Sequence, residues 1–236
     1  MSDHKNQPLR KLQSRLQRCI LFGDLSSEEL LSLLSKIDYR VQNFKKNEVI
    51  FSPHQKTDTL GILLAGTVDV QKVFSCGKIL TVNRRFAPEL IADASIFADI
   101  THYPSSILAV EESLIFFINR ENLLRLFSLN ENIMARFLQS VSNRVLLLNN
   151  TIEILSMPSV MSKIAWYLLN AYKRQQSANI KMVYTKKALA EHLNVSRTTL
   201  SRELKALKED GVISFSRKSI TILDLEKLEN LCSQPR

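Results

Sequence analysis

From Met134 to Leu155 the apolar positions are Met134, Leu138, Val141, Val145, Leu148, Ile152 and Leu155, in alternating steps of four and three. Steps of four and three predict a helix with a narrow heptad seam, Leu138, Val145 and Ile152 at a and Met134, Val141, Leu148 and Leu155 at d. β-Branched residues at two of the three a positions, with Leu at two of the four d positions, favour a parallel two-stranded coiled coil. The expected dimer interface is therefore Leu138, Val141, Val145, Leu148, Ile152 and Leu155. A helix packed on its own domain is the alternative, although its apolar stripe would ordinarily be wider than a bare a/d seam. Pro158 lacks the N–H that a continuing helix needs, so Met157-Pro158 is the expected hinge.

Upstream of this helix the period changes. LSSEELLSLLSKI (25–37) carries Ser26 or Ser27 as N-cap, acids in the first turn and leucines at helical spacing. From Tyr39 to about Ile118, VIF, LGILLAGTVDVQKVF, KILTV and SLIFFI are short runs of β-branched and aromatic residues separated by turn residues. Ser75-Cys76-Gly77-Lys78 reads as a hairpin turn. Many short antiparallel strands without intervening helices argue for a barrel or roll. The fold class expected is α+β, with an N-terminal antiparallel, jelly-roll-like β-roll over 1–133. A dimerisation helix and hinge follow over 134–157, and a second domain occupies 158–236.

That second domain holds NVSRTTLSRELKALKEDG (194–211). Leu200, Leu204 and Leu207 fall on one side of a helix, while Thr198, Ser201, Arg202 and Lys205 point away. Ser196 is placed as N-cap and Gly211 can take the left-handed C′ conformation. Upstream, Thr185 caps the short helix KKALAEHL, and Asn194-Val195 makes a tight connection. Val212–Phe215 and Ser219–Ile222 flank Ser216-Arg217-Lys218 as a hairpin wing. Two helices, a tight turn and a small-polar, Arg-bearing start to the second helix make a helix-turn-helix, whose recognition helix enters the major groove by its N-terminal turns. A helical hairpin in some other small domain is the alternative. Arg202 suits a guanine edge, Ser201 and Thr198 base edges or a thymine methyl, and Arg197 phosphate. The DNA-binding set expected is Ser196, Arg197, Thr198, Thr199, Ser201, Arg202, Lys205, Arg217 and Lys218.

Charge sharpens this picture. The chain of 236 residues carries a formal net charge of +9. Between Lys181 and Lys218 nine cations oppose four acids, the electrostatic footprint of nucleic-acid binding when it sits on such a module. No uncharged run approaches a membrane span and the N-terminus has no apolar signal core, so a cytoplasmic protein is expected. Cys19, Cys76 and Cys232 form no CxxC pair or Cys/His cluster, and His4, His54, His102 and His192 are scattered. No cofactor is expected. An exposed Cys76 reads as an inert thiol, with oxidation the alternative. With five glycines in all, no phosphate-binding loop and no nucleophile–base arrangement, an enzyme is the weakest reading.

KKNEVIF and LGILLAGTVDVQK, with Gly66, together with VSRTTLSRELKALKEDGVI, resemble the Crp/Fnr family of bacterial transcription regulators, over nearly the whole chain. The resemblance implies a homodimer on double-stranded DNA, with a small effector held between roll and long helix repositioning the DNA-binding domains. RNA polymerase is kept as a candidate partner. Arg197 and Arg202 match the family's arginines and Ser201 a Ser-or-Gly position. Thr198 stands where many members have a cytosine-reading Glu, so the usual half-site does not carry over. In cyclic-nucleotide-binding members a Gly-Glu-Leu run holds the ribose and an Arg-Ser pair the cyclic phosphate. Here Ala92-Asp93-Ala94 and Pro104-Ser105 match those runs, and Leu148 and Asn149 match the purine-contacting positions. The effector set expected is Ala92, Asp93, Ser105, Ser106, Leu148 and Asn149. The phosphate-binding Arg is absent; Arg84 or Arg85 could substitute, though solvated charges are the simpler reading. An effector other than cyclic AMP is expected. A cyclic-nucleotide receptor acting on protein partners without DNA is the competing function.

Overall fold

The computed structural model describes residues 12–216 and 219–233. The chain divides into two compact units, one ending at Arg144 and the other beginning at Val145.

In the first unit, residues 12–16 are helical and α1 (Ser27–Leu34) follows. Ser26 is its N-cap: Ser26 Oγ accepts from Glu29 N–H, and Glu29 Oε2 accepts from Ser26 N–H at 2.8 Å, a closed capping box. Eight strands come next: β1 (Arg40–Phe44), β2 (Val49–Phe51), β3 (Thr59–Ala65), β4 (Thr67–Val73), β5 (Ile79–Phe86), β6 (Glu89–Ile91), β7 (Ser106–Ala109) and β8 (Ser113–Asn119). They form two antiparallel four-stranded sheets, ordered β1-β8-β3-β6 and β2-β7-β4-β5. LGILLAG and SLIFFI read as continuous apolar runs because both faces of their sheet are covered. Leu63, Ile115 and Phe117 point into the core between the sheets with Phe51, Val68 and Ile107. Their neighbours Leu60, Ile62, Leu64, Phe116 and Ile118 point the other way, into a core closed by the helices through Leu16, Phe22, Leu30, Leu126 and Phe137. Strand periodicity thus sorts one run of sequence into two cores.

Gly66 joins β3 to β4 at φ +90°, and a Cβ there would run into Ser113 Oγ and lie 2.6 Å from the Glu112 carbonyl oxygen. Gly77 turns the β4–β5 hairpin at φ +79° with open space around it. Strand β7, helix α2 (Arg120–Leu129) and the weakly patterned β6 escaped the periodicity. β6 is three residues long and α2 is short, with Asn119 as its cap.

Helix α3 (Glu131–Ser156) runs through both units. Its first half carries Ile133 and Phe137, both buried in the helix-side core of the roll, with Val141 packed against them. Val141, assigned from sequence to the dimer seam, is therefore half-covered by its own domain. Ile154, near the other end, belongs to the core of the second unit. Met134, Leu138, Val145, Leu148, Ile152 and Leu155 are exposed, as are Leu146 and Leu147. The helix stops at Ser156, and α4 (Val160–Gln175) starts anew with Ser159 as N-cap, so the break falls at Met157-Pro158.

In the second unit α4 buries Ile164, Ala165, Tyr167, Leu168 and Ala171. Trp166 is half-buried. β9 (Asn179–Lys181), α5 (Lys186–His192), α6 (Arg197–Glu209), β10 (Ile213–Phe215), β11 (Ser219–Ile222) and α7 (Leu225–Ser233) complete it. The wing hairpin β10–β11 gains β9 as a third strand through Ile220↔Ile180, which sequence alone did not place.

The two turn glycines generate a contrast. Gly66→Ala combines left-handed strain with collision against Ser113 and should cost about 3–5 kcal/mol of roll stability. Gly77→Ala meets only the strain, about 1–2 kcal/mol. Chemical denaturation of the two variants checks the order; equal losses would mean that the close approach at Gly66 relaxes without cost.

Candidate nucleic-acid interface and effector segment

The sequence builds the helix-turn-helix from its caps outward. Thr185 Oγ1 accepts from Ala188 N–H at 3.2 Å and starts α5. Asn194, at φ +52°, makes the turn; Asn tolerates that left-handed region better than most residues. Val195 N–H donates to the Ala190 carbonyl at 2.9 Å, which closes the turn onto α5. Ser196 Oγ accepts from Thr199 N–H at 3.0 Å and starts α6. At the far end Gly211 takes φ +72° and Val212 N–H returns to the Leu207 carbonyl, so the chain reverses into the wing. Leu200, Leu204 and Leu207 are fully buried against α4 and α5 residues of the same core.

With the leucines committed, the other face of α6 is polar. Arg197, Thr198, Arg202 and Lys205 are exposed, and Thr199 and Ser201 are half-buried. Ser196, Thr198 and Thr199 form a hydroxyl cluster, the Ser196 Oγ lying 2.8 Å from each threonine Oγ1. Thr198 therefore offers no carboxylate and has its hydroxyl engaged beside its methyl. Lys205 pairs with Glu209 one turn on, at 3.3 Å. Arg202 Nε and Nη2 both donate to Glu203 Oε1, at 3.1 and 2.9 Å. Glu203 was counted from sequence only as an acid opposing the cations. Its side chain is 19% exposed and it touches the one arginine placed for base reading. Adjacent helical residues do not ordinarily face one another, so nothing in the periodicity signals this pair.

Lys186 and Lys208 both lie over the Phe215 ring, at 4.9 and 5.2 Å from its centroid. His192 stacks on Tyr184 at 5.1 Å, and burial lowers its pKa, so the imidazole is neutral at pH 7 and adds no charge to the module. Arg217 and Lys218, assigned to the wing tip, lie outside the described residues.

The effector residues are placed as follows. Ala92 sits at φ +61° in the turn after β6, and Asp93 behind it is buried. Asp93 Oδ1 is ion-paired with Arg144 of α3, while Asp93 Oδ2 is buried without a hydrogen-bond partner among the described residues. A half-satisfied buried carboxylate is costly and commonly marks a place where another donor enters. Ser105 and Ser106 are half-buried at the start of β7. Leu148 and Asn149 belong to the unit that begins at Val145 and are exposed. Arg84 is held bidentate by Asp69, Nε at 2.7 Å and Nη2 at 2.9 Å, and that guanidinium holds the Asp69 carboxyl below its usual range. Arg85 is paired with Glu89 at 3.2 Å. Both cations that could have replaced the missing phosphate-binding arginine thus serve carboxylates of the roll. Arg144 was missed from sequence; its only signal was a lone cation ahead of the apolar run VLLL.

Cys19 is fully buried, which pushes its thiol up to about 11 and makes it unreactive, whereas Cys76 is exposed on the β4–β5 turn. Among the described residues no group of three or more His, Cys, Asp or Glu side chains converges as a metal-ligand set. No described helix is long and apolar enough to cross a membrane.

Comparison with known proteins agrees with this geometry part by part. The model of the cyclic nucleotide-binding domain matches residues 41–130, and that of the Crp-like helix-turn-helix domain matches residues 162–231. The chain belongs to the Crp/Fnr family. It is 23% identical over 206 residues to the anaerobic regulatory protein of Bacillus subtilis, covering 85% of this chain and 86% of the relative. The crystal structure of DNR from Pseudomonas aeruginosa is 25% identical, covers 94% of this chain and 98% of its own, and superposes with a TM-score of 0.51. The catabolite activator protein of Thermus thermophilus, 22% identical, shares the fold with a TM-score of 0.52 over 90% of this chain and 98% of its own. The protein is thus a DNA-binding transcription regulator of the Crp/Fnr type rather than an enzyme. A receptor that acts without DNA, the competing function, has no use for the helix-turn-helix and is set aside.

Proposed function

We propose that this Crp/Fnr regulator acts as a homodimer on an inverted-repeat operator, reading each half-site with the first turns of α6 and responding to a small effector other than cyclic AMP. The observation that carries the DNA part is the division of α6 into a fully buried leucine edge and an exposed Ser–Arg–Thr–Lys face. In this reading Arg202 takes a guanine edge, Ser201 and Thr198 meet neighbouring bases, and Ser196, Arg197, Thr199 and Lys205 hold phosphates, with Arg217 and Lys218 assigned to phosphate from sequence. Arg202→Ala should relax the choice at one guanine per half-site by about 1–3 kcal/mol, while Arg197→Ala weakens binding to all sequences and flattens its salt dependence. Titrations on operator and random DNA at several salt concentrations separate the two; equal effects on both DNAs from both variants would sink the assignment.

The exposed seam supports the dimer. Leu138, Val145, Leu148, Ile152 and Leu155 are each more than half exposed. Covering the exposed half of such side chains is worth about 1–1.5 kcal/mol apiece, and a second copy of α3 supplies the matching surface. Half-covered Val141 sits at the rim of that seam. Val145→Asp with Ile152→Asp places like charges at facing a positions and should cost on the order of 3–5 kcal/mol of association. Sedimentation should then show monomers, with inverted-repeat binding lost; a monomeric wild type would overturn the dimer.

For the effector, the roll offers Ala92, Asp93, Ser105 and Ser106, an acceptor oxygen on Asp93, and no uncommitted arginine at Arg84 or Arg85. Such a site favours a donor-rich ligand over a phosphate anion, which would lose its charge-assisted partner. Cyclic AMP up to millimolar should leave operator affinity unchanged. A micromolar dissociation constant with a matching rise in affinity would show that another cation holds the phosphate.

A further inference from the structure

We infer that Glu203 is a positioning residue for base recognition, holding the Arg202 guanidinium so that its end edge faces the guanine; this rests on the reading of α6 proposed above. Arg202 is three-quarters exposed, and a free arginine side chain loses much rotamer freedom when it docks on a base. Glu203 is the less exposed partner, its side chain 19% exposed against 75% for Arg202, so fewer rotamers are open to it. The guanidinium folds along the helix surface to reach it, giving Nε and Nη2 to a single carboxylate oxygen at 3.1 and 2.9 Å. As a source of stability an exposed pair of this kind is worth little. Its consequence is geometric.

A guanidinium has five N–H donors in one plane. With Nε–H and one Nη2–H committed to Glu203, the second Nη2–H and one Nη1–H remain side by side along the end of the fork, the other Nη1–H pointing back toward Cδ. Guanine presents O6 and N7 side by side in the major groove and needs two donors on one edge. The clamp therefore removes the side edge from competition and leaves the edge that fits guanine. It also acts electrostatically. Any phosphate attracts a bare guanidinium irrespective of sequence, whereas a guanidinium neutralised by its own carboxylate keeps its directional donors and loses much of that non-specific pull. Lys205 is similarly offset by Glu209, but that carboxylate is 64% exposed, whereas the one beside the base-reading arginine is 19% exposed.

The test uses the full-length protein and an operator selected by the wild type from a random DNA pool. Preference for the Arg202-dependent guanine over the other three bases is measured, alongside affinity for random DNA and thermal stability. Glu203→Gln should lower the guanine preference about ten-fold and raise random-DNA affinity about two- to three-fold, with the melting temperature unchanged. Glu203→Asp, which keeps the charge one methylene short, should retain part of the preference. In an Arg202→Ala background Glu203→Gln should leave base preference untouched. The inference is overturned if Glu203→Gln keeps or sharpens the preference, if it acts equally without Arg202, or if it lowers specific and random binding together with stability. If Arg202→Ala itself changes no base preference, the underlying reading of α6 fails instead, so the two failures are distinguishable.

Discussion

One helix has to serve two hydrophobic cores, and the rest of the molecule is arranged around that constraint. Over Glu131–Ser156 a single backbone gives Ile133, Phe137 and part of Val141 to the roll and Ile154 to the helix-turn-helix unit. The turn angle of an α-helix separates these residues from Leu138, Val145, Leu148, Ile152 and Leu155, which neither unit covers. A helix that is apolar on two sides but buried on only one has an unpartnered face. On the reading proposed above, a second copy of the helix covers this face.

The same helix carries Arg144 at the point where one unit ends, and its partner is the buried Asp93. Removing either group alone would strand a charge in a poorly solvated place, so the pair is coupled more tightly than its surface counterparts such as Lys187–Glu191. The carboxylate is nonetheless only half satisfied. Elsewhere in the roll Arg84 is paired with Asp69 and Arg85 with Glu89. The segment that matches the family's ligand-binding runs is thus rich in acceptor and poor in free cation. Those electrostatics, with the missing arginine, are what the proposal of a ligand other than a cyclic nucleotide rests on.

In the helix-turn-helix unit, burial and recognition divide one short helix between them. The leucines of α6 fix its rotation, and the hydroxyls and cations at its start gain their orientation from that. Local chemistry then adjusts individual groups. Ser196 Oγ is within hydrogen-bond distance of the Thr198 and Thr199 hydroxyls, and Arg202 donates to Glu203. Sequence specificity in such an interface depends as much on what holds a reading side chain as on the side chain itself.

The seam, the caps at Ser26 (or its neighbour Ser27), Thr185 and Ser196, the break at Pro158 and the leucine edge of α6 were all legible along the chain. Each rests on a period or a hydrogen bond spanning three or four residues. The short strands β6, β7 and β9 were not, since three or four residues carry too little pattern and their pairing partners are distant in sequence. Nor could periodicity show that Val141 would be shared with the roll core, because that depends on where a domain distant in sequence comes to rest on the helix. The ion pairs Asp93–Arg144 and Arg84–Asp69, and the clamp of Glu203 on Arg202, required three-dimensional structure for the same reason. A charge in a sequence has many prospective partners, and only folding brings one of them within hydrogen-bond reach. The sequence determined which faces are apolar and where the helix-turn-helix lies; tertiary structure alone decided which charges are free to meet a ligand or DNA.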